Sequence, residues 1–250
     1  MIESIVEKNI EDLLVKIETD PKLIKSISKD LQDEHLCKIA VTKDPYLIQF
    51  IKEPTEYICR LALEKDGSCL QYIENQTEKL CLIAVMKTPH ALQYVKDQTD
   101  IICMAAVKND GIALQYVKEQ REDICIMALE SDGLALRFVN NPTKQMYEIA
   151  IKNNPLAIKY IKDQSLELCD LAIGLKGKAI KSINDQTIEL CIKAVKQDPD
   201  ALQYIRKKTK EIKAEAIKQC IFIVRNRPEY LNEITDKKLK NAVLNIMIGA

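Results

Sequence analysis

Seven cysteines fall on one ladder. Cys37, Cys59, Cys81, Cys103, Cys125, Cys169 and Cys191 are separated by 22 residues or a multiple of it, and Tyr147 stands on the one missing rung. Alanine repeats the ladder without a gap, at Ala40, Ala62, Ala84, Ala106, Ala128, Ala150, Ala172, Ala194 and Ala216. A fixed period of this length marks a stack of like supersecondary units, none of which can bury its apolar face alone. The chain is thereby restricted to a linear array. Eight in-register units run over residues 31–206, residues 1–30 read as a degenerate N-terminal capping repeat, and residues 207–250 read as an extended C-terminal repeat with a capping helix.

With Asp97 as register position 1, positions 6, 7, 10 and 11 are apolar (Ile102, Cys103, Ala106, Val107), which is one face of a helix. Acidic or amide residues at position 1, with Glu or Asp at position 4, resemble a capping box. Pro54 and Pro142 at position 2 fit a first helical turn. This first helix, A, is expected to hold about 12 residues, or ~18 Å. Position 14 is Asp, Asn or Thr except at Lys176, and position 15 is always Pro or Gly. A site needing positive φ would reject proline, so position 15 is expected to open a second helix, B, of about 8 residues (~12 Å). Positions 17, 18 and 21 of helix B point inward. The expected fold is an all-α solenoid of stacked two-helix repeats. Gly174 inside a helix A, and Ser182 in place of an aromatic, mark an expected softer joint over residues 170–184.

Composition narrows the function classes. Lys and Arg number 37 against 37 Asp and Glu, so net charge gives no case for nucleic acid or a membrane. No segment approaches the apolar length of a membrane span, and the acidic, amphipathic start lacks the features of a signal peptide. Nine cysteines is an odd number, and seven share one apolar helical position. Stacked helices lie ~8–10 Å apart, beyond the ~7 Å that a disulfide bridges. Reduced core thiols in a cytoplasm-like compartment are expected. With only His35 and His90, both assigned to outward positions, neither a zinc site nor a cysteine nucleophile with its base can be assembled. The expectation is a protein that is no enzyme and holds no cofactor or metal.

Motifs such as ICMAAVKNDGIALQYVKEQ and LCLIAVMKTPHALQYVKDQ resemble the Ala-Val-Lys/Ala-Leu-Gln-Tyr repeats of the helical domain-of-unknown-function family numbered forty-one-sixteen. That family is common in giant DNA viruses of amoebae and in protists. The resemblance covers most of the middle of the chain. It implies an α-helical repeat fold, transfers no catalytic residue, and implies the host cytoplasm for a viral member.

Three surfaces depart from a plain solenoid. Outward position 8 is polar at Lys38, Arg60, Glu148 and Asp170, but reads Leu82, Met104 and Ile126 in three consecutive units, with Met86 and Ile101 on the same side. A helix apolar nearly all round is buried on both sides or shows a patch. The expectation is a contact stripe for a protein partner or a second copy, as in a homodimer, set against an array that curls over it. Position 19 forms a row of Gln49, Gln71, Gln93, Gln115 and Gln203, interrupted by Arg137, Lys159 and Lys181, beside an aromatic row at position 20. The glutamines are candidate groove residues. The aromatics read as wedges between repeats, with a platform for bases as the alternative. Finally, Arg206, Lys207, Lys208 and Lys210 open a basic C-terminal end: a solvated cap, a contact for nucleic acid, or a partner for the acidic N-terminus.

Overall fold

The computed structural model describes residues 12–249. Every regular element among them is helical, and the order is that of an α-solenoid. Two compact units divide at Ser131/Asp132, inside the fifth regular repeat.

In the first unit, a helix over residues 12–19 is followed by the 3-10 segments Pro21–Ser26 and Lys29–Leu31. The two additional residues of its connection are taken up in that last short turn. Residues 1–11, which carry most of the acidic amphipathic start, lie outside the described residues. A helices follow at Glu34–Lys43, Glu56–Lys65, Glu78–Lys87, Asp100–Asn109 and Glu122–Ser131, alternating with B helices at Pro45–Phe50, Gly67–Tyr72, Pro89–Tyr94 and Gly111–Tyr116. The second unit continues with B helices Gly133–Phe138, Pro155–Tyr160, Gly177–Ser182 and Pro199–Tyr204 and A helices Lys144–Asn153, Leu166–Leu175 and Ile188–Gln197. It closes with Lys210–Asn226, the short Tyr230–Glu233 and Lys237–Ile248. Lys210–Asn226 holds 17 residues against 10 in a regular A helix, the expected two-turn extension. Within each unit A helices pack on A helices and B helices on B helices.

Two features of the repeat differ from the sequence expectation. Helix A holds 10 residues and begins at position 4, because the cap is the hydroxyl of position 3. Thr99 Oγ1 accepts from Ile102 N at 3.5 Å, and Thr55, Thr77, Thr143, Ser165, Thr187 and Thr209 repeat the bond. Positions 1 and 2, with Pro54 and Pro142, therefore precede the helix. Helix B is a six-residue 3-10 helix. Its N-cap carboxylate accepts from position 16, as Asp110 Oδ1 does from Ile112 N at 2.9 Å. The i to i+3 bonds Ala113 N to Asp110 O (2.9 Å) and Val117 N to Leu114 O (3.1 Å) open and close it. Over six residues, periods of 3.0 and 3.6 bury the same positions, so the apolar pattern does not separate the two helix types.

Positions 6, 7, 10 and 11 of helix A and 17, 18 and 21 of helix B form the core; Ala106, Val107, Ala113 and Leu114 are fully buried. Each buried Leu, Ile or Val contributes roughly 1.5–3 kcal/mol by leaving water, which sustains helices too short to persist alone. Position 15 does open helix B. No glycine within the repeats has positive φ; only the C-terminal Gly249 does. What glycine supplies at position 15 is closeness. A Cβ on Gly67, Gly133 or Gly177 would lie 2.1, 2.2 or 2.5 Å from the carbonyl oxygen of Ala84, Ala150 or Ala194 in the next repeat. The glycine N–H also donates onward, Gly67 to Thr88 Oγ1 (3.1 Å), Gly133 to Asn153 Oδ1 (2.7 Å) and Gly177 to Gln197 Oε1 (2.6 Å). The residues around Gly174 form a continuous helix, and Ser182 closes a regular B helix, so no break occurs at the expected joint.

Candidate functional site

The outward face of each A helix is made by positions 5, 8, 9 and 12, opposite the buried 6, 7, 10 and 11. In three consecutive repeats of the first unit that face is apolar at positions 8 and 9 and also carries Met86 and Ile101, with Lys79, Lys108, Asp123 and Glu130 at its remaining positions. Met86 is 66% and Ile101 59% exposed. Leu82, Met104 and Ile126 lie half-buried where neighbouring A helices meet, and do not project fully as the sequence pattern implied. Position 9 adds Ile83 and Met127, also half-buried, which widen the stripe into a patch. They escaped sequence reading because position 9 is apolar in nearly every repeat and passes for core. Charges frame the patch asymmetrically. Lys79 and Lys87 lie on its N-terminal repeat, and Asp123 and Glu130 on its C-terminal repeat.

The candidate glutamine groove is exposed, but each amide is engaged by its own B helix. Gln49, Gln71, Gln93 and Gln115 donate to the carbonyls of Tyr46, Ser68, His90 and Ile112 at 2.8–3.2 Å. In the second unit Gln203 donates to Asp200 O and Thr235 Oγ1, which ties it to the C-terminal cap. The aromatics at position 20 are half-buried wedges: Tyr46 meets Tyr72 and His90 meets Tyr116 edge-on across adjacent repeats. Tyr46 Oη donates to Asp66 Oδ2 at 2.6 Å, and this bond pushes the phenol up to about 12.

A different glutamine does the structural work. Position 2 stands at the joint between repeats, where Gln98 Nε2 donates to Leu92 O (3.1 Å) of the preceding repeat and Tyr116 O (2.9 Å) of its own. Its Oε1 accepts from Lys118 N at 2.9 Å. Gln32, Gln76, Gln164 and Gln186 make the equivalent clamp. Its recurrence with the 22-residue period was the available signal.

All nine cysteines are buried and unbridged. Burial pushes the thiols of Cys37 and Cys59 up to about 11, and those of Cys69 and Cys220 up to about 12, with nearby carboxylates adding to the effect. Such thiols stay protonated and unreactive at neutral pH. His35 is exposed, and His90 is partly exposed while its Nδ1 lies 3.5 Å from Asp110 Oδ2 of the next repeat. No group of three or more His, Cys, Asp and Glu is placed to hold a metal among the described residues. No helix among them is long and apolar enough to cross a membrane.

The basic end divides into two roles. Arg206 is a structural residue whose guanidinium donates to Ile183 O (2.5 Å) and Asn184 O (3.0 Å), whereas Lys207, Lys208 and Lys210 are exposed. Beyond them, Ala214, Ile217, Ile221, Phe222 and Ile246 line an open groove of about 710 Å³. The charge asymmetry is broader than the termini. The first unit holds 16 Lys and Arg against 23 Asp and Glu, net −7, and the second 21 against 14, net +7.

Compared with known proteins, the chain matches no family model, no curated protein and no solved structure. The family resemblance therefore rests on the repeat motif alone.

Proposed function

We propose that the protein is a non-enzymatic repeat scaffold that makes protein–protein contacts, and that its first unit associates with a second copy through the apolar face centred on Met104. The observation that carries this reading is the exposure of Met86 and Ile101 beside Leu82, Met104 and Ile126 on three adjacent helices. Charged residues occupy position 8 at Lys38 and Arg60 of the same unit, so the frame does not require apolar side chains there. A contiguous apolar patch on a surface that tolerates charge is a contact site. Methionine suits it, being able to repack against a partner.

The framing charges favour a second copy. A two-fold axis through Met104 sets the repeat bearing Lys79 and Lys87 against the partner copy's repeat with Asp123 and Glu130, and two-fold interfaces require such self-complementarity. The test is solution mass by size exclusion with light scattering, for the wild type and for Met104→Glu. A dimer that becomes a monomer on this substitution supports the reading. A mass unaltered by the substitution, together with unaltered capture of a wild-type copy, contradicts it.

A further inference from the structure

We infer that the B-helix ridge of the second unit binds single-stranded nucleic acid through Arg137, Lys159 and Lys181. These residues occupy position 19 of three successive repeats, and all three are exposed. The helices that carry them, GLALRF, PLAIKY and GKAIKS, contain no carboxylate. None of the three cations is paired with a carboxylate among the described residues; Lys178, one helical turn away, is the one that engages Asp198 and Asp200. Unpaired, regularly spaced cations in a unit of net charge +7 are a site for a polyanion.

The aromatic partners narrow the polyanion to a nucleic acid. Arg137 Cζ stands 4.4 Å from the Phe138 ring centroid, Lys159 Nζ 4.6 Å from that of Tyr160, and Lys181 Nζ 5.8 Å from that of Tyr204 in the next repeat. Arg137 and Lys159 also both lie close enough to the Tyr160 phenol to lower its pKa, Lys159 foremost, so cations of two repeats converge on one ring. The Arg137 and Lys159 repeats thus each offer a charge for a phosphate beside a half-exposed ring for a base, and Lys181, whose own repeat has Ser182, stands by the ring of the next repeat. Charge with aromatic rings is the combination that binds single strands without sequence preference. A duplex keeps its bases stacked inside and cannot use the rings. An acidic peptide can meet the cations but has nothing to offer the aromatics. The site is distinct from the apolar face of the first unit and independent of it.

The test is fluorescence anisotropy of a labelled oligouridylate against the full chain at low salt. The decisive variant replaces Arg137, Lys159 and Lys181 together by Gln, the residue that the first unit itself carries at this position, and circular dichroism reports its fold. Lys159→Gln alone serves as a milder variant. Wild-type binding should weaken steeply between about 50 and 200 mM salt. The triple variant should lose at least about tenfold at low salt and flatten the log–log salt slope by about 2, from three contacts at ~0.7 each for single strands. A second triple variant, Lys207→Gln with Lys208→Gln and Lys210→Gln, should retain most of the affinity. Undetectable binding at low salt, equal binding by the ridge variant, loss confined to the C-terminal variant, or equal affinity for polyglutamate would each overturn the assignment.

Discussion

The two units are built on one frame and finished differently. In both, positions 6, 7, 10, 11, 17, 18 and 21 are buried, apart from the half-buried Val139 and Tyr147, and the position-2 glutamine ties consecutive repeats together. In the first unit the outer A face carries Leu82, Met86, Ile101, Met104 and Ile126, while the B ridge is a run of neutral glutamines. In the second, position 8 of the A face is acidic at Glu148 and Asp170 and apolar at Ile192, and the B ridge is cationic at Arg137, Lys159 and Lys181. The difference teaches that stability and contact chemistry are written at separate register positions. A residue at position 8 or 19 can change sign or polarity without disturbing the stack.

The largest expected effect tests whether the frame is shared. Gly67→Ala in the first unit and Gly133→Ala in the second each drive a Cβ into the backbone of the next repeat, and each should cost about 3 kcal/mol in a urea titration. A variant that loses nothing would show that its unit packs differently. Next, Gln98→Ala and Gln164→Ala strip backbone partners from the joint between repeats, with an expected loss of about 2 kcal/mol in either unit. Unequal losses would break the equivalence.

Alkaline pH should separate the units. The Cys37, Cys59, Cys69 and Cys220 thiols are raised by burial to about 11 or 12, above the ~8.5 of a free thiol, so the unfolded chain releases those protons first. Stability is whole below about pH 8.5 and falls as pH rises through 9 to 11, by up to ~1.4 kcal/mol per pH unit for each thiol. Three of the four lie in the first unit, so hydrogen exchange should find it opening earlier there as pH is raised. Cys→Ala at these positions should flatten the dependence. The smallest effect belongs to Met104→Glu, which should alter urea stability by no more than about 0.5 kcal/mol because charge already occupies position 8 elsewhere.

The repeat, its period and its core positions were legible because burial imposes the same residue type every 22 residues. Helix B was misjudged in kind because Pro or Gly followed by five residues is too short for periodicity to distinguish a 3-10 from an α-helix. Helix A starts two residues later than the pattern suggests, since the acidic position 1 mimics a cap while the hydroxyl at position 3 supplies it. Of the candidate surfaces, the apolar patch was recognised at Leu82, Met104 and Ile126, but its width through Ile83 and Met127 was not. The glutamine row is exposed, as its outward register position implies, but the bonds of its amides to their own helices, and of Gln203 also to Thr235, are not visible in the letters. The contrast between that row and its cationic continuation was visible in the letters, yet acquires meaning only where carboxylate partners are seen to be missing.

The central claim, that this frame presents a self-associating face at Met104, is tested most directly by solution mass. Size exclusion with light scattering should give twice the 28.5 kDa chain mass for the wild type and the single-chain mass for Met104→Glu. A wild type that stays at the single-chain mass over a wide concentration range, or a Met104→Glu variant that remains dimeric, would contradict it.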